Sequence, residues 1–350
     1  MKNILEISIP TYNRILQLEK CLFSVLKALT KISQKKRKLV GISISDNSTK
    51  LFSEKKKLIT SYQKKFNYLK INYFRYNVSG YNIGSVKNIA KLVSTSKSDY
   101  TWLLPDDDVA REDSVLILLE VINKYKPSFI NGGWVTPSKI GYLDNKLKNE
   151  DHLPNKVYRV LKGSDKIDTF LTRNPVRAQE YVYKTSRIKK FFKKKSNLKL
   201  LDMMAPAIYA VYSMLDKAPL ILLNSSIGIF RHDEPDEYSN WRHLWLKLVL
   251  QDWPELSKKI YKLGWINHKQ LNQSKNIFRS LLFTAYPYRP DILLGINKKY
   301  KLSFFKLFYF HNLYYFLAIL RSFISMVIEI CKRLILKILK IIKLVKINKK

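Results

Sequence analysis

Short apolar runs alternate with amphipathic ones along the first 110 residues, and few folds accommodate that pattern. Residues 4–9 form a β-branched run closed by Pro10-Thr11-Tyr12-Asn13. Residues 16–29 then carry Leu18, Leu22, Val25, Leu26 and Leu29 at helical spacing. After a charged turn at 35–38 the alternation repeats, with a strand over 39–45, a helix over 52–66 and a strand over 71–76. Asn82-Ile83-Gly84 opens another helix to about residue 94, and a fourth strand covers 100–104. This order predicts βαβ units and a parallel sheet. In such sheets ligands lie outside the carboxyl ends of the strands. Thr11-Tyr12-Asn13, Asp46-Asn47-Ser48 and Asp106-Asp107-Asp108 all stand at such ends, so one rim is expected to carry all three.

Farther along, a helix is expected over 112–124, a strand over 129–134 and loop-rich sequence over 137–171. A strand over 179–183, a helix over 200–215, an apolar strand region over 220–230 and helices over 241–250 and 274–282 complete the pattern. The segment 304–350 changes character: it is apolar and basic, with Arg321 and Glu329 opposing a membrane span. Arg333, Lys337, Lys340 and Lys343 recur every three or four residues, which places them on one helical stripe. Such a helix suits the plane of an anionic membrane surface, where each nearby Lys or Arg contributes about 1 kcal/mol. A helix packed on the core with solvated lysines is the plainer alternative.

The 350 residues hold 64 Lys plus Arg against 27 Asp plus Glu, a formal charge of +37. That excess favours anionic partners, although Lys-rich, Asn- and Ile-rich usage also follows from AT-rich codons. Only Cys21 and Cys331 are present, which excludes a disulfide framework and fits a reducing compartment. Glu6 interrupts the first apolar run, so export through a signal peptide is not expected.

Three consecutive carboxylates repel one another unless a cation joins them. Mn²⁺ or Mg²⁺ favours oxygen ligands and shares its shell with phosphates. Either Asp106 with Asp108, or Asp107 with Asp108, could hold such an ion against a diphosphate leaving group. The competing explanation is an acidic start to the following helix. Asp46 could accept from a nucleobase N–H or a ribose hydroxyl, or merely close its strand as an Asx turn. Asn82 could line the same site or serve as a helix cap, and Lys87 and Asn88 follow one turn later.

Ile7-Ser8-Ile9-Pro10-Thr11-Tyr12-Asn13-Arg14 closely resembles the opening strand and loop of family 2 glycosyltransferases. Ile44-Ser45-Asp46-Asn47-Ser48, Asn82-x-Gly84-x-x-x-Asn88 and Trp102-Leu103-Leu104-Pro105-Asp106-Asp107-Asp108 follow in that family's order over about the first 115 residues. Pro105 stands where the family often has aspartate, and Lys87 where arginine is common. The resemblance implies a GT-A fold: an α/β, Rossmann-like, mostly parallel sheet flanked by helices, here with a helical amphipathic C-terminal extension. It further implies inverting transfer from a nucleotide sugar and a metal-binding Asp-x-Asp. Thr11, Asp46 and Lys87 would surround the base and ribose, with Asn13 and Asn82 beside them. Asp106 and Asp108 would make the ribose and metal contacts, within a metal set that also includes Asp107.

Inverting displacement needs a carboxylate to deprotonate the acceptor hydroxyl. Asp202 is the first choice and Glu180 the second. Within Phe230-Arg231-His232-Asp233, His232 or Arg231 could touch the diphosphate or the metal. The expected division is a nucleotide-sugar half over 1–115, an acceptor half over 116–250, a helical region over 251–303 and a membrane-associating tail over 304–350. The expected partners are a nucleotide sugar of the UDP-linked class, a lipid-linked or oligosaccharide acceptor and an anionic membrane surface, but no nucleic acid. The expected setting is cytoplasmic, on the inner face of the membrane, in surface polysaccharide or lipopolysaccharide assembly. Two rivals are a basic nucleic-acid binder, through clusters such as Lys189-Lys190-Phe191-Phe192-Lys193-Lys194-Lys195, and a noncatalytic polysaccharide-binding relative.

Overall fold

The computed structural model describes residues 3–48, 52–132, 158–171, 181–194, 197, 205–223, 227–230, 252–274 and 324. The chain divides into two units, Met1–Pro235 and Asp236–Lys350. The first unit begins with β1 (Leu5–Thr11), α1 (Ile15–Thr30), α2 (Gln34–Arg37), β2 (Val40–Asp46), α3 (Phe52–Tyr68), β3 (Tyr73–Val78), α4 (Ser85–Thr95) and β4 (Tyr100–Leu103). It continues with β5 (Asp108–Ala110), α5 (Ser114–Tyr125), β6 (Phe129–Asn131), β7 (Tyr158–Leu161) and α6 (Asp165–Leu171). Then come β8 (Tyr181–Lys184), α7 (Thr185–Lys193), α8 (Ala205–Met214), β9 (Leu220–Leu223) and β10 (Gly228–Phe230). In the second unit α9 (Trp253–Lys262) starts with Pro254 in its first turn and buries Trp253, Leu256 and Ile260 along one stripe.

The main sheet has the order β3-β2-β1-β4-β8-β6-β9-β7. β1 to β4 are parallel, as the alternating pattern predicts. Beyond β4 the sheet turns mixed, because β8 enters antiparallel between β4 and β6 and β7 runs antiparallel to β9. One sheet therefore runs through both of the halves expected at 1–115 and 116–250. Of the stripe read on α1, Leu18, Leu22, Val25 and Leu29 are buried and Leu26 is half-buried, with Cys21 and Ala28 buried alongside, and each fully buried Leu or Val contributes about 1.5–3 kcal/mol.

Several local expectations change. The charged segment near 35–38 is the short helix α2, whose N-cap Ser33 Oγ accepts from Lys36 N. The loop-rich stretch contains β7 and α6, and the apolar region over 220–230 splits into β9 and β10. Asp108 opens β5, which pairs antiparallel with β10, and α5 starts only at Ser114. The three aspartates are thus not the first turn of a helix, which removes the helix-start explanation for them. The helix expected over 241–250, the helix expected over 274–282 apart from Ser274, and the tail over 304–350, Ile324 apart, lie outside the described residues.

One charge lies inside the sheet. Glu6 is fully buried in β1, and the register sets it beside Gly41 of β2, which in turn faces Tyr73 of β3. Gly41 leaves room for the Tyr73 ring: a Cβ there would come within 2.4 Å of a ring carbon. The Tyr73 hydroxyl crosses this gap and donates to Glu6 Oε2. Ser8 Oγ donates to Glu6 Oε1 at 2.8 Å, Lys97 N to Oε2 at 3.3 Å, and Arg75 Nη2 lies 3.5 Å from Oε1. A buried carboxylate is tolerable only when surrounded in this way.

Candidate active site

β2 and β3 lie on one side of β1 and β4 on the other, so the strand order reverses between β1 and β4. A crevice at the carboxyl ends is expected at such a switch point. Thr11 ends β1, Asp46 ends β2, and Pro105-Asp106-Asp107 follows β4. Register keeps the first two level, because Thr11 pairs with Asp46.

Asp46 is fully buried and held from both sides. Its Oδ1 accepts from Ser48 N at 2.9 Å, so the Asx turn expected at this strand end is present. Its Oδ2 accepts from the Tyr76 hydroxyl at 2.8 Å. Burial, then the hydrogen bond to Asp46, push the Tyr76 phenol up. Lys55 Nζ stands 3.3 Å from Asp46 Oδ1 and also donates to Thr11 Oγ1 at 3.1 Å and Ser48 Oγ at 2.6 Å. Lys55 was missed in the sequence, where it opens the run Lys55-Lys56-Lys57. The available signal was its phase: Lys55, Ile59, Tyr62 and Phe66 follow helical spacing, and all four are buried while Lys56 and Lys57 are exposed.

Asn13 occupies left-handed backbone (φ 49°), which asparagine tolerates better than most residues, and its N–H donates to Ser48 Oγ at 2.7 Å. Asn82 is exposed, and its Oδ1 accepts from Asn47 Nδ2 at 2.7 Å and Gly84 N at 2.8 Å. Asn47 Oδ1 accepts in return from Ile83 N at 2.8 Å, which fastens the loop to the end of β2. The N-cap of α4 is Gly84, at φ 84°, rather than Asn82. Asn88 Nδ2 donates to Ser45 O at 3.0 Å and ties α4 to the same strand end. Lys87 is exposed in the first turn of α4.

At the other side of the switch point, Arg14 Nη1 lies 2.7 Å from Asp107 Oδ2 and 3.4 Å from Asp106 Oδ1. Thr11 and Lys55 lie near enough to favour the charged form of Asp106 as well. Burial, and next the adjacent Asp107 charge, push the Asp106 carboxyl up to about 7 against the pull of Arg14, Thr11 and Lys55. Asp106 Oδ2 is buried with no hydrogen-bond partner among the described residues. Asp108 is buried as well. These oxygens are the hard donors that Mg²⁺ or Mn²⁺ favours, and an orphaned carboxylate oxygen is a natural ligand. Among the described residues no three His, Cys, Asp or Glu side chains gather around one point. An ion here would therefore take one or two carboxylates and complete its shell with water and substrate phosphate, the usual arrangement for Mg²⁺. Asp202, Glu180, Arg231 and His232 lie outside the described residues.

A parallel α/β half-sheet with buried carboxylates at its switch point places the chain in the class of doubly wound folds that bind ligands in that crevice. Within that class the chain belongs to glycosyl transferase family 2, whose profile matches residues 6–192, more than half its length. The fold is of the GT-A type, shared with a mannosyltransferase from Pyrobaculum calidifontis solved with GDP-Man and Mn²⁺. That likeness has a TM-score of 0.50 at 9% identity, over 93% of this chain and 88% of that one. S. aureus TarS 1–349 solved with UDP-GlcNAc is similar at a TM-score of 0.49 and 11% identity, over 90% of this chain and 91% of that one. No curated protein sequence matches the chain.

Proposed function

We propose that this glycosyltransferase moves a sugar, with inversion, from a UDP-linked donor to a lipid-linked or growing oligosaccharide in surface polysaccharide assembly. The observation that carries the donor reading is the continuous polar rim from Asp46 through Lys55 and Thr11 to Asp106 at the β1/β4 switch point. Its polarity suits a nucleoside at the Asp46 end and a diphosphate at the Asp106 end.

In this reading Asp46 accepts from the nucleobase or ribose. Asp106 and Asp108, or Asp107 and Asp108, hold Mn²⁺ or Mg²⁺, with His232 as a further ligand. Once bound, that ion would neutralise charge on the leaving diphosphate. Arg14 already neutralises part of the carboxylate charge and stands ready to meet the diphosphate. Asp202, or else Glu180, takes the proton of the acceptor hydroxyl as its oxygen bonds to the anomeric carbon. The bond from that carbon to the diphosphate oxygen breaks on the opposite face.

Screening nucleotide sugars for thermal stabilisation with and without Mn²⁺ tests the donor reading. The expected hit is a UDP-sugar that raises Tm only when metal is present. Stabilisation by no nucleotide sugar, with salt-sensitive oligonucleotide binding in its place, would transfer the case to the nucleic-acid rival.

The basic amphipathic pattern of 304–350 supports docking on the inner face of the membrane. No helix among the described residues is long and apolar enough to cross a membrane. Deleting 304–350 is expected to shift the protein from the membrane to the soluble fraction on centrifugation, and continued sedimentation with membranes would refute the docking.

A further inference from the structure

Lys55 is an ammonium with no exposure to solvent, and its three N–H bonds have three acceptors in Thr11, Asp46 and Ser48. Those acceptors come from the ends of two strands, while Lys55 itself comes from α3. A long, mobile side chain loses considerable rotamer freedom on burial, and its charge loses its water. Burial indeed pushes the ammonium down, against the opposing pull of Asp46. A lysine in such a place fixes other groups.

We infer that Lys55 is a positioning residue that determines which nucleoside the rim accepts, an inference that rests on the nucleotide-sugar reading above. A carboxylate offers about four lone-pair directions. On Asp46, Ser48 N and Lys55 occupy Oδ1, and Tyr76 occupies one direction on Oδ2. By that count one acceptor direction on Oδ2 is uncommitted, and because Asp46 is fully buried in the free protein a ligand N–H or O–H reaches it only as the rim parts. The cation and the phenol hold the two oxygens from opposite sides, so that direction is fixed before the ligand arrives.

The same ammonium acts on Thr11. By donating to Thr11 Oγ1, it requires the hydroxyl hydrogen to point away from the ammonium. Lys55 thereby orients an acceptor on Asp46 and the hydroxyl of Thr11 beside it. A ligand that presents an N–H to Asp46 fits this arrangement, whereas one that presents a lone pair meets a carboxylate oxygen and is rejected.

The test measures the dissociation constants of UDP, ADP and inorganic pyrophosphate, each with Mn²⁺, by calorimetry on the full chain and on Lys55→Met. UDP is expected to weaken by about tenfold or more, in line with loss of a charged hydrogen bond. The UDP-to-ADP preference should collapse, while pyrophosphate binding stays within about twofold because Asp106, Asp107 and Asp108 are retained. A residue needed only for stability would lower Tm without altering that preference.

If Lys55→Met does not fold, Lys55→Gln keeps two N–H donors without the charge, and the same collapse is expected. Undiminished preference in either folded variant overturns the inference. Failure of both variants to fold assigns Lys55 to stability alone and overturns it as well. If the unaltered chain binds pyrophosphate but no nucleotide, the nucleotide-sugar reading itself fails. That outcome is distinct from nucleotide binding that Lys55 does not influence.

Discussion

Replacing Asp108 by alanine is expected to lower sugar transfer by about 10²-fold or more while thermal stability holds or rises. The two directions share one cause. Asp106, Asp107 and Asp108 follow one another at the end of β4, and Asp106 and Asp108 are both buried. Arg14 reaches Asp106 and Asp107, so it offsets part of the repulsion in the free protein. Removing one carboxylate relieves part of what is left, since Asp106 and Asp107 still face each other. Under the proposed function the same substitution removes a ligand of the ion that stabilises the leaving diphosphate, and losing one electrostatic contact of that kind typically costs 10²–10³ in rate. A carboxylate retained against stability is the usual signature of a functional site. Transfer assays across a Mn²⁺ titration, paired with melting curves, decide the matter. Unchanged turnover at saturating metal would remove Asp108 from the metal set, and an equal loss of activity and stability would make its role structural.

The same contrast between local pattern and distant partner separates what could be read in the sequence from what could not. β1 to β4 and their helices were legible because each is set by its own periodicity. The strand expected over 39–45 is Val40–Asp46, and the helix expected over 52–66 is Phe52–Tyr68. The rim was legible for the same reason, since parallel strands bring their carboxyl ends together wherever the exact boundaries fall. β5 was not. Three residues carry too little pattern, and Asp108–Ala110 becomes a strand only by pairing with Gly228–Phe230, far along the chain. The antiparallel entry of β8 is likewise decided by distant neighbours rather than by its own apolar residues. Lys55 was hidden differently. Three lysines in succession read as a solvated face, and only the apolar phase of Ile59, Tyr62 and Phe66 marks the first of them as inward.

Glu6 gives the complementary case, a buried carboxylate whose loss should damage the fold and leave the site intact. Replacing it with leucine keeps the volume but removes the acceptor for Ser8 Oγ, Lys97 N and the Tyr73 hydroxyl, and the counter-charge for Arg75. Breaking one side of a buried charge network costs about 3–5 kcal/mol. Arg75 is partly exposed and can recover some hydration, which points to the lower end of that range. Glu6→Gln, which retains acceptor and volume, should cost less. The network sits near the amino end of β1, whereas Thr11 at the other end belongs to the rim. Nucleotide affinity of the folded fraction should therefore remain within about twofold, since distant sites are usually additive. Urea unfolding of Glu6→Leu, Tyr73→Phe and the double variant gives the coupling directly. The double variant should be less destabilised than the sum of the singles, because Tyr73→Phe removes one of the donors that Glu6→Leu would strand. Simple additivity would mean that the Tyr73 hydroxyl does not depend on Glu6.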